Sequence, residues 1–142
     1  MIKPILDKEA VENLLPQKFP FVMVDKMFSF TKTSLVTGLK IESENIFLEN
    51  GVFLEAGLIE HMAQSVALHT GYTFFLKQEK APIGYIGSIK QINIKKLPNS
   101  NDEIQSSITI IQEFAGITLV DIVTTLNNEE IANGQMKTVL AK

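Results

Sequence analysis

Cysteine is absent from this 142-residue chain. That excludes a disulfide scaffold, a thiolate zinc site, an iron–sulfur cluster and a cysteine nucleophile. Arginine is absent too, so all 13 basic residues are lysines, set against 16 acidic ones for a net charge of −3. Such a chain has no overall basic field for nonspecific nucleic-acid binding. It also has no guanidinium fork for phosphates or base edges, so an acidic partner has to meet a local lysine patch. No apolar run approaches the roughly 20 residues of a membrane span. The start, Met1-Ile2-Lys3-Pro4, lacks the apolar run and small-residue cleavage site of a signal peptide, so the expectation is a soluble protein of the cytoplasm. Histidine is scarce: His69 lies eight residues beyond His61, which on one helix is about 12 Å along the axis. The two cannot ligate one ion from the same helix, no H-E-x-x-H spacing occurs, and neither a metal nor a cofactor is expected.

What is present is an ordinary globular mixture, 45% apolar and 20% charged, at a length usual for one domain spanning residues 1–142. Asp7 is a good N-cap for a short helix over 7–15, with Val11, Leu14 and Leu15 on one face and Pro16 ending it. Residues 21–30 and 34–41 read as two antiparallel strands joined near Thr31-Lys32-Thr33. Residues 42–53 read as loop. From about 54 to 78 the pattern turns helical, with Ile59, Met62, Ala63, Val66 and Ala67 on one face, although Gly71 and Tyr72-Thr73-Phe74-Phe75 interrupt its second half. Strands are predicted near 83–96, 102–113, 116–127 and 130–140, with a tight hairpin at Asn128-Glu129. One long helix against a mainly antiparallel sheet is an α+β plan.

Three segments carry a resemblance. Leu14-Leu15-Pro16-Gln17-Lys18-Phe19-Pro20-Phe21-Val22-Met23-Val24-Asp25-Lys26 resembles an "L-P-H-R-x-P-F-L-L-V-D-R" opening, with Gln17 in place of the histidine. Gly57-Leu58-Ile59-Glu60-His61-Met62-Ala63-Gln64 resembles "L-I-x-E-A-x-A-Q", and Tyr85-Ile86-Gly87-Ser88-Ile89-Lys90 resembles "F-x-G-x-x-K". In this order they resemble the hotdog-fold 3-hydroxyacyl-(acyl carrier protein) dehydratases of the FabZ type. The resemblance implies a hotdog fold, a long central helix wrapped by a curved, mainly antiparallel sheet. One departure stands out: where the family carries a catalytic histidine in an "H-F-P-G" loop, this chain reads Phe47-Leu48-Glu49-Asn50-Gly51-Val52-Phe53-Leu54. That shorter loop, followed by Leu54-Glu55-Ala56-Gly57-Leu58-Ile59-Glu60, is similar to the dehydratase-like branch of aryl-polyene and flexirubin pigment clusters.

Glu60 is the first candidate for chemistry. It lies with Gln64, one turn on, at the edge of the apolar stripe. Partial burial there raises a carboxyl pKa toward neutrality, which suits proton transfer. The competing reading is a glutamate reaching solvent beside a surface glutamine. His61 sits about 100° around the helix from Glu60, so it can share a proton path only from a partner subunit; otherwise it is a surface or interface histidine. In the resembled family the active site mixes residues of two subunits, a histidine takes the α-proton, and the carboxylate delivers a proton to the leaving hydroxyl. Helix N-terminal amides there hold the thioester carbonyl, which points to Glu55, Ala56 and Gly57, although Gly57 equally serves close packing. Gln64 and Gly87 complete the substrate-binding set that the resemblance implies.

The expected function is dehydratase-like, a hydro-lyase turning a 3-hydroxyacyl thioester on an acyl carrier protein into a trans-2-enoyl thioester, in fatty-acid or polyene synthesis. The alternatives are a non-catalytic hotdog partner subunit and an acyl-thioesterase using Glu60 alone. The expected partners are acyl carrier protein, steered by Lys90, Lys95 and Lys96, and a second hotdog subunit, identical or not, joined edge to edge.

Overall fold

Asp7 caps the first helix as its sequence suggests: its carboxylate accepts from Ala10 N at 3.0 Å. In the computed structural model, which describes residues 3–140 apart from the side chain of Tyr85, α1 spans Lys8–Leu14. Pro16 forces the residue before it out of helical conformation, and Leu15 is extended. The strands β1 (Lys26–Thr31) and β2 (Ser34–Lys40) pair antiparallel. The strand expected over 21–30 begins only at Lys26, because the backbone of Phe21 and Met23 bonds to side chains of the long helix and not to a strand.

The stretch expected to be loop contains a small hairpin, β3 (Leu48–Glu49) and β4 (Val52–Phe53). Its turn residues Asn50 and Gly51 both have positive φ, 52° and 77°. Asn-Gly is the standard two-residue hairpin signal, and here it pairs Glu49 with Val52 and Leu48 with Phe53.

The long helix α2 runs without interruption over Glu55–Leu76. Gly71 does not break it and has a packing role: a Cβ there would lie 2.6 Å from the Leu14 carbonyl oxygen. The glycine lets the end of α1 lie directly on α2. Gly71→Ala gains about 1 kcal/mol of helix propensity but meets backbone, and overpacking costs roughly 1–3 kcal/mol. A net loss is expected in urea denaturation; a more stable variant would show that α1 can shift away from α2.

Strands β5 (Gly84–Ile94), β6 (Glu103–Phe114), β7 (Ile117–Leu126) and β8 (Glu129–Leu140) follow, close to their expected limits. The turn between β7 and β8 centres on Asn127-Asn128, with φ of 51° and 65°, one residue earlier than the expected Asn128-Glu129. The order across the six-stranded sheet is β1-β2-β6-β7-β8-β5, antiparallel throughout. Strand alternation sends Ile104, Ser106 and Ile108 of β6 inward. They meet Val120, Ile122, Met136 and the buried face of α2, where Leu58 and Met62 are fully enclosed. Among the described residues β5 bonds to β8 alone, so its outer edge is open, with Ile86 and Ile89 exposed. No described helix is long and apolar enough to cross a membrane.

Candidate active site

The face of α2 that lies deepest is not the apolar stripe drawn from the sequence. It is centred on Leu58, His61, Met62, Ser65 and His69. Three of these are polar, and each finds a partner on the sheet side. Ser65 Oγ donates to His61 O at 2.8 Å and meets Thr37 Oγ1 at 2.8 Å, with Thr37 therefore the donor. His69 Nε2 donates to Thr31 O at 2.9 Å, and its ring stacks on Phe30 with centroids 4.8 Å apart.

His61 is wholly buried. Its Nδ1 lies 2.7 Å from Met23 O; a carbonyl only accepts, so Nδ1 carries the proton. Nε2 is then an acceptor and takes the Ser106 hydroxyl at 2.9 Å, while Ser106 Oγ in turn receives Thr124 Oγ1 at 2.6 Å. The arrangement defines one neutral tautomer. Burial pushes the imidazole pKa down from 6.5 to about 4, with the Met23 bond and the Asp25 charge only partly opposing it. This corrects the expectation for His61. It is neither at the surface nor reaching to a partner subunit, because both ring nitrogens are engaged inside its own core.

Glu60 occupies the next position around the helix, half-buried. Its Oε2 accepts from Gln64 Nε2 at 2.7 Å, the one-turn pairing expected. Gln64 itself is buried and fully used: Oε1 accepts from Met23 N at 2.6 Å, and Nε2 also donates to Phe21 O at 2.9 Å. Since Met23 N can only donate, the amide has one orientation, and its donor edge must face Glu60. The Phe21–Met23 segment is thus bonded to Gln64 on one side and His61 on the other. Gln64→Leu would strand the Met23 N–H, and a buried group left unpaired costs roughly 1–3 kcal/mol. A thermal melt checks this; no loss would mean the segment re-pairs elsewhere.

Glu60 lines an apolar cleft of about 410 Å³ between α2, the Leu14–Gln17 segment and the start of β5. Ala63, Ala67 and Thr70 continue the helix wall beyond Glu60, and Ile83 and Ile86 face it from the β5 side. A second cleft, of about 420 Å³, adjoins it; the two share Val66, Thr70, Thr138 and Leu140. Among the described residues Glu60 is the only acidic one on the first cleft's wall; neither histidine lines that cleft, and His69 lines the second.

The remaining expected site residues lie elsewhere. Glu55 and Ala56 are exposed at the start of α2, and neither they nor Gly57 line the Glu60 cleft. Gly57 is buried where a Cβ would come within 2.7 Å of Phe53 and 2.6 Å of Phe47, so close packing accounts for this glycine. Gly87 is exposed on β5, with Lys90 and Lys96 also exposed. Lys95 is paired with Glu130 at 2.6 Å, a bond that holds the exposed Glu130 carboxyl below its ordinary pKa. Gln17, noted in the sequence only as a departure from the family's histidine, lies on the wall of the Glu60 cleft.

Comparison with known proteins places the fold and the family. The ApeP-like family, described as ApeP dehydratase, matches residues 9–140. The chain is 25% identical to the 3-hydroxyacyl-[acyl-carrier-protein] dehydratase FabZ of Vibrio cholerae, over 95% of this chain and 92% of that one. It is 27% identical to the FabZ of Clostridium botulinum strain Okra, over 99% and 100%. Among solved structures, the dehydratase heterocomplex ApeI:P of Xenorhabdus doucetiae superposes with a TM-score of 0.87 at 13% identity, over 93% of this chain and 91% of that one. A sigma28-regulated virulence protein of Campylobacter jejuni gives 0.72 at 11% identity, over 96% and 91%, and shares the fold alone. The expected hotdog α+β fold and dehydratase-like function both stand. Matched by that family's model over residues 9–140, nearly its whole length, the chain belongs to the ApeP-like dehydratase family.

Proposed function

We propose that this chain is the carboxylate-bearing subunit of a 3-hydroxyacyl thioester dehydratase, and that it works joined to a second hotdog subunit. The observation that carries the reading is the contrast on α2: Glu60 is aimed and held in an apolar cleft, whereas both histidines of the chain have core partners. Elimination of water needs two proton movements. A base removes the α-proton, the electron pair forms the new double bond, and an acid gives a proton to the departing 3-hydroxyl. Glu60 serves the second step, oriented by Gln64. The base comes from the joined subunit.

Two further features support the reading. The open edge of β5 is long and carries exposed isoleucines, a liability unless a second chain covers it. The structural neighbour from Xenorhabdus doucetiae is by title a heterocomplex. The adjoining clefts under α2 suit an apolar acyl chain, and the FabZ relatives by name act on thioesters of acyl carrier protein.

The test is turnover of a 3-hydroxyacyl-acyl carrier protein, followed by mass spectrometry, for the chain alone and co-expressed with a histidine-bearing hotdog dehydratase. Loss of one water by the complex, with little by the chain alone, is the expected result. Full activity alone would assign both proton movements to Glu60 and remove the need for a partner. Binding without dehydration in either case would make this a non-catalytic subunit. Release of free carrier thiol would make it a thioesterase.

A further inference from the structure

We propose that His61 is a positioning residue for Glu60, acting through the Met23 backbone and the Gln64 amide without touching the substrate. The inference rests on the dehydratase reading above, in which Glu60 serves the departing hydroxyl. His61 is wholly buried and does not line the Glu60 cleft, so any part it takes in the reaction is at one remove.

Two bonds fix the Met23 backbone, and both come from side chains of α2. Met23 N donates to Gln64 Oε1 at 2.6 Å, and Met23 O accepts from His61 Nδ1 at 2.7 Å. Among the described residues neither group has another partner, since the strand pairing of β1 begins only at Lys26. The nearest bonds from main chain to main chain are Phe21 N to Lys18 O at 2.9 Å and Asp25 N to Gly38 O at 3.0 Å, two residues away on either side. Met23 is buried, so water does not replace a bond lost there.

The orientation of the Gln64 amide follows from this hold. One end of the amide accepts and the other donates, and a half-turn exchanges them. With Met23 N–H in place, the oxygen faces Met23, and Nε2 faces Glu60 Oε2 at 2.7 Å and Phe21 O at 2.9 Å. Once Met23 is free to shift, the half-turn becomes available and sets the amide oxygen against the Glu60 carboxylate, acceptor against acceptor. His61 prevents this by holding the carbonyl of the same residue whose N–H orients the amide. Ser106 helps: its hydroxyl donates to Nε2 at 2.9 Å, which keeps the ring proton on Nδ1, facing Met23.

Two substitutions separate the two ring nitrogens. Asparagine sets an amide N–H where Nδ1 stands, and glutamine, one methylene longer, sets its amide near Nε2. His61→Asn therefore keeps the bond to Met23 and gives up Ser106, and His61→Gln does the reverse. In the assembly that supports turnover, His61→Gln should lower kcat for dehydration by roughly 10–100-fold, with KM moving less than about threefold. His61→Asn should recover most of that loss. Each variant gives up one buried bond, so a merely structural role lowers the stability of both and does not separate their kcat values. Equal kcat in the two variants overturns the proposal, as does a loss confined to KM. In a Glu60→Gln parent, adding His61→Gln should lower the residual rate no further; a second full drop would mean that His61 acts independently of Glu60. Failure of the Glu60 reading shows separately, as dehydration that continues undiminished in the Glu60→Gln parent. If neither His61 variant folds, amide hydrogen exchange in the wild type decides: Met23 N–H should exchange as slowly as the core amides of β6, and exchange as fast as an exposed turn overturns the proposal.

Discussion

Replacing Glu60 by glutamine should lower the dehydration rate of the assembled enzyme by roughly 10²–10⁴-fold, the usual contribution of a positioned acid or base. The substitution is close to isosteric. A glutamine oxygen at the same place can still accept from Gln64 Nε2, so the 2.7 Å contact and the bonds from Gln64 to Phe21 and Met23 have no reason to change. The melting temperature should accordingly move little. What is lost is the transferable proton. The loss should fall mainly on kcat, because the group acts on the leaving hydroxyl as the C–O bond breaks. Single-turnover mass spectrometry on the variant, with a melt on the same sample, separates the two effects. An unchanged rate would move the proton transfer away from Glu60, whatever the cleft looks like.

The second large effect concerns stability. His61 has a pKa of about 4 in the folded chain against 6.5 as its reference value. Between those values the unfolded chain binds the proton and the folded one does not, so stability falls as the pH falls. The contribution is fully present above about pH 6.5 and lost by about pH 4, and amounts to about 3 kcal/mol over that window. The physical cause is burial: an imidazolium at position 61 would be a charge enclosed in the core without water, and the Met23 bond and the Asp25 charge only partly offset that. A proton on Nε2 would also oblige the Ser106 hydroxyl to turn and accept. Glutamine at position 61 cannot titrate. His61→Gln should be less stable than wild type at pH 7.5, yet its stability should decline less steeply toward pH 4. Urea denaturation followed by far-UV circular dichroism, at several pH values, gives both slopes. Carboxylates titrate in part of the same window, and the difference between the two proteins cancels their share. Parallel slopes would show that His61 is not the group responsible. Protonation leaves Nδ1–H donating to Met23 O, so acidification disturbs the Nε2 bond to Ser106 and not the His61 hold on Met23.

The elements came through in the sequence unevenly, for identifiable reasons. The four C-terminal strands were legible because alternation and breakers agree: β6 buries every second residue from Ile104 to Ile108, and Ala115-Gly116 and Asn127-Asn128 supply the positive φ of the turns. The start of β1 was not legible. Phe21-Val22-Met23-Val24 is rich in strand formers, but its backbone is satisfied by Gln64 and His61, which no local pattern announces. The inward face of α2 was misplaced for the same kind of reason. A stripe drawn through apolar residues assumes that polar side chains face water. Here His61, Ser65 and His69 face inward because the sheet and its flanking turn offer Ser106, Thr37 and the Thr31 carbonyl.

For the site, local sequence was enough to pair Glu60 with Gln64, since four residues on a helix means one turn. It could not show what Gln64 does with its other bonds, because Phe21 and Met23 are about forty residues away in the chain. Nor could it show that Gln17 shares a cleft with Glu60. Sequence by itself determined the α+β order, the missing loop histidine and the carboxylate one turn before a glutamine, because each is a matter of composition or short spacing. Only the tertiary structure decided that His61 is a neutral core residue and that Glu60 opens onto an apolar cleft. Burial and long-range hydrogen bonding are properties of the packed chain, and no stretch of residues holds them alone.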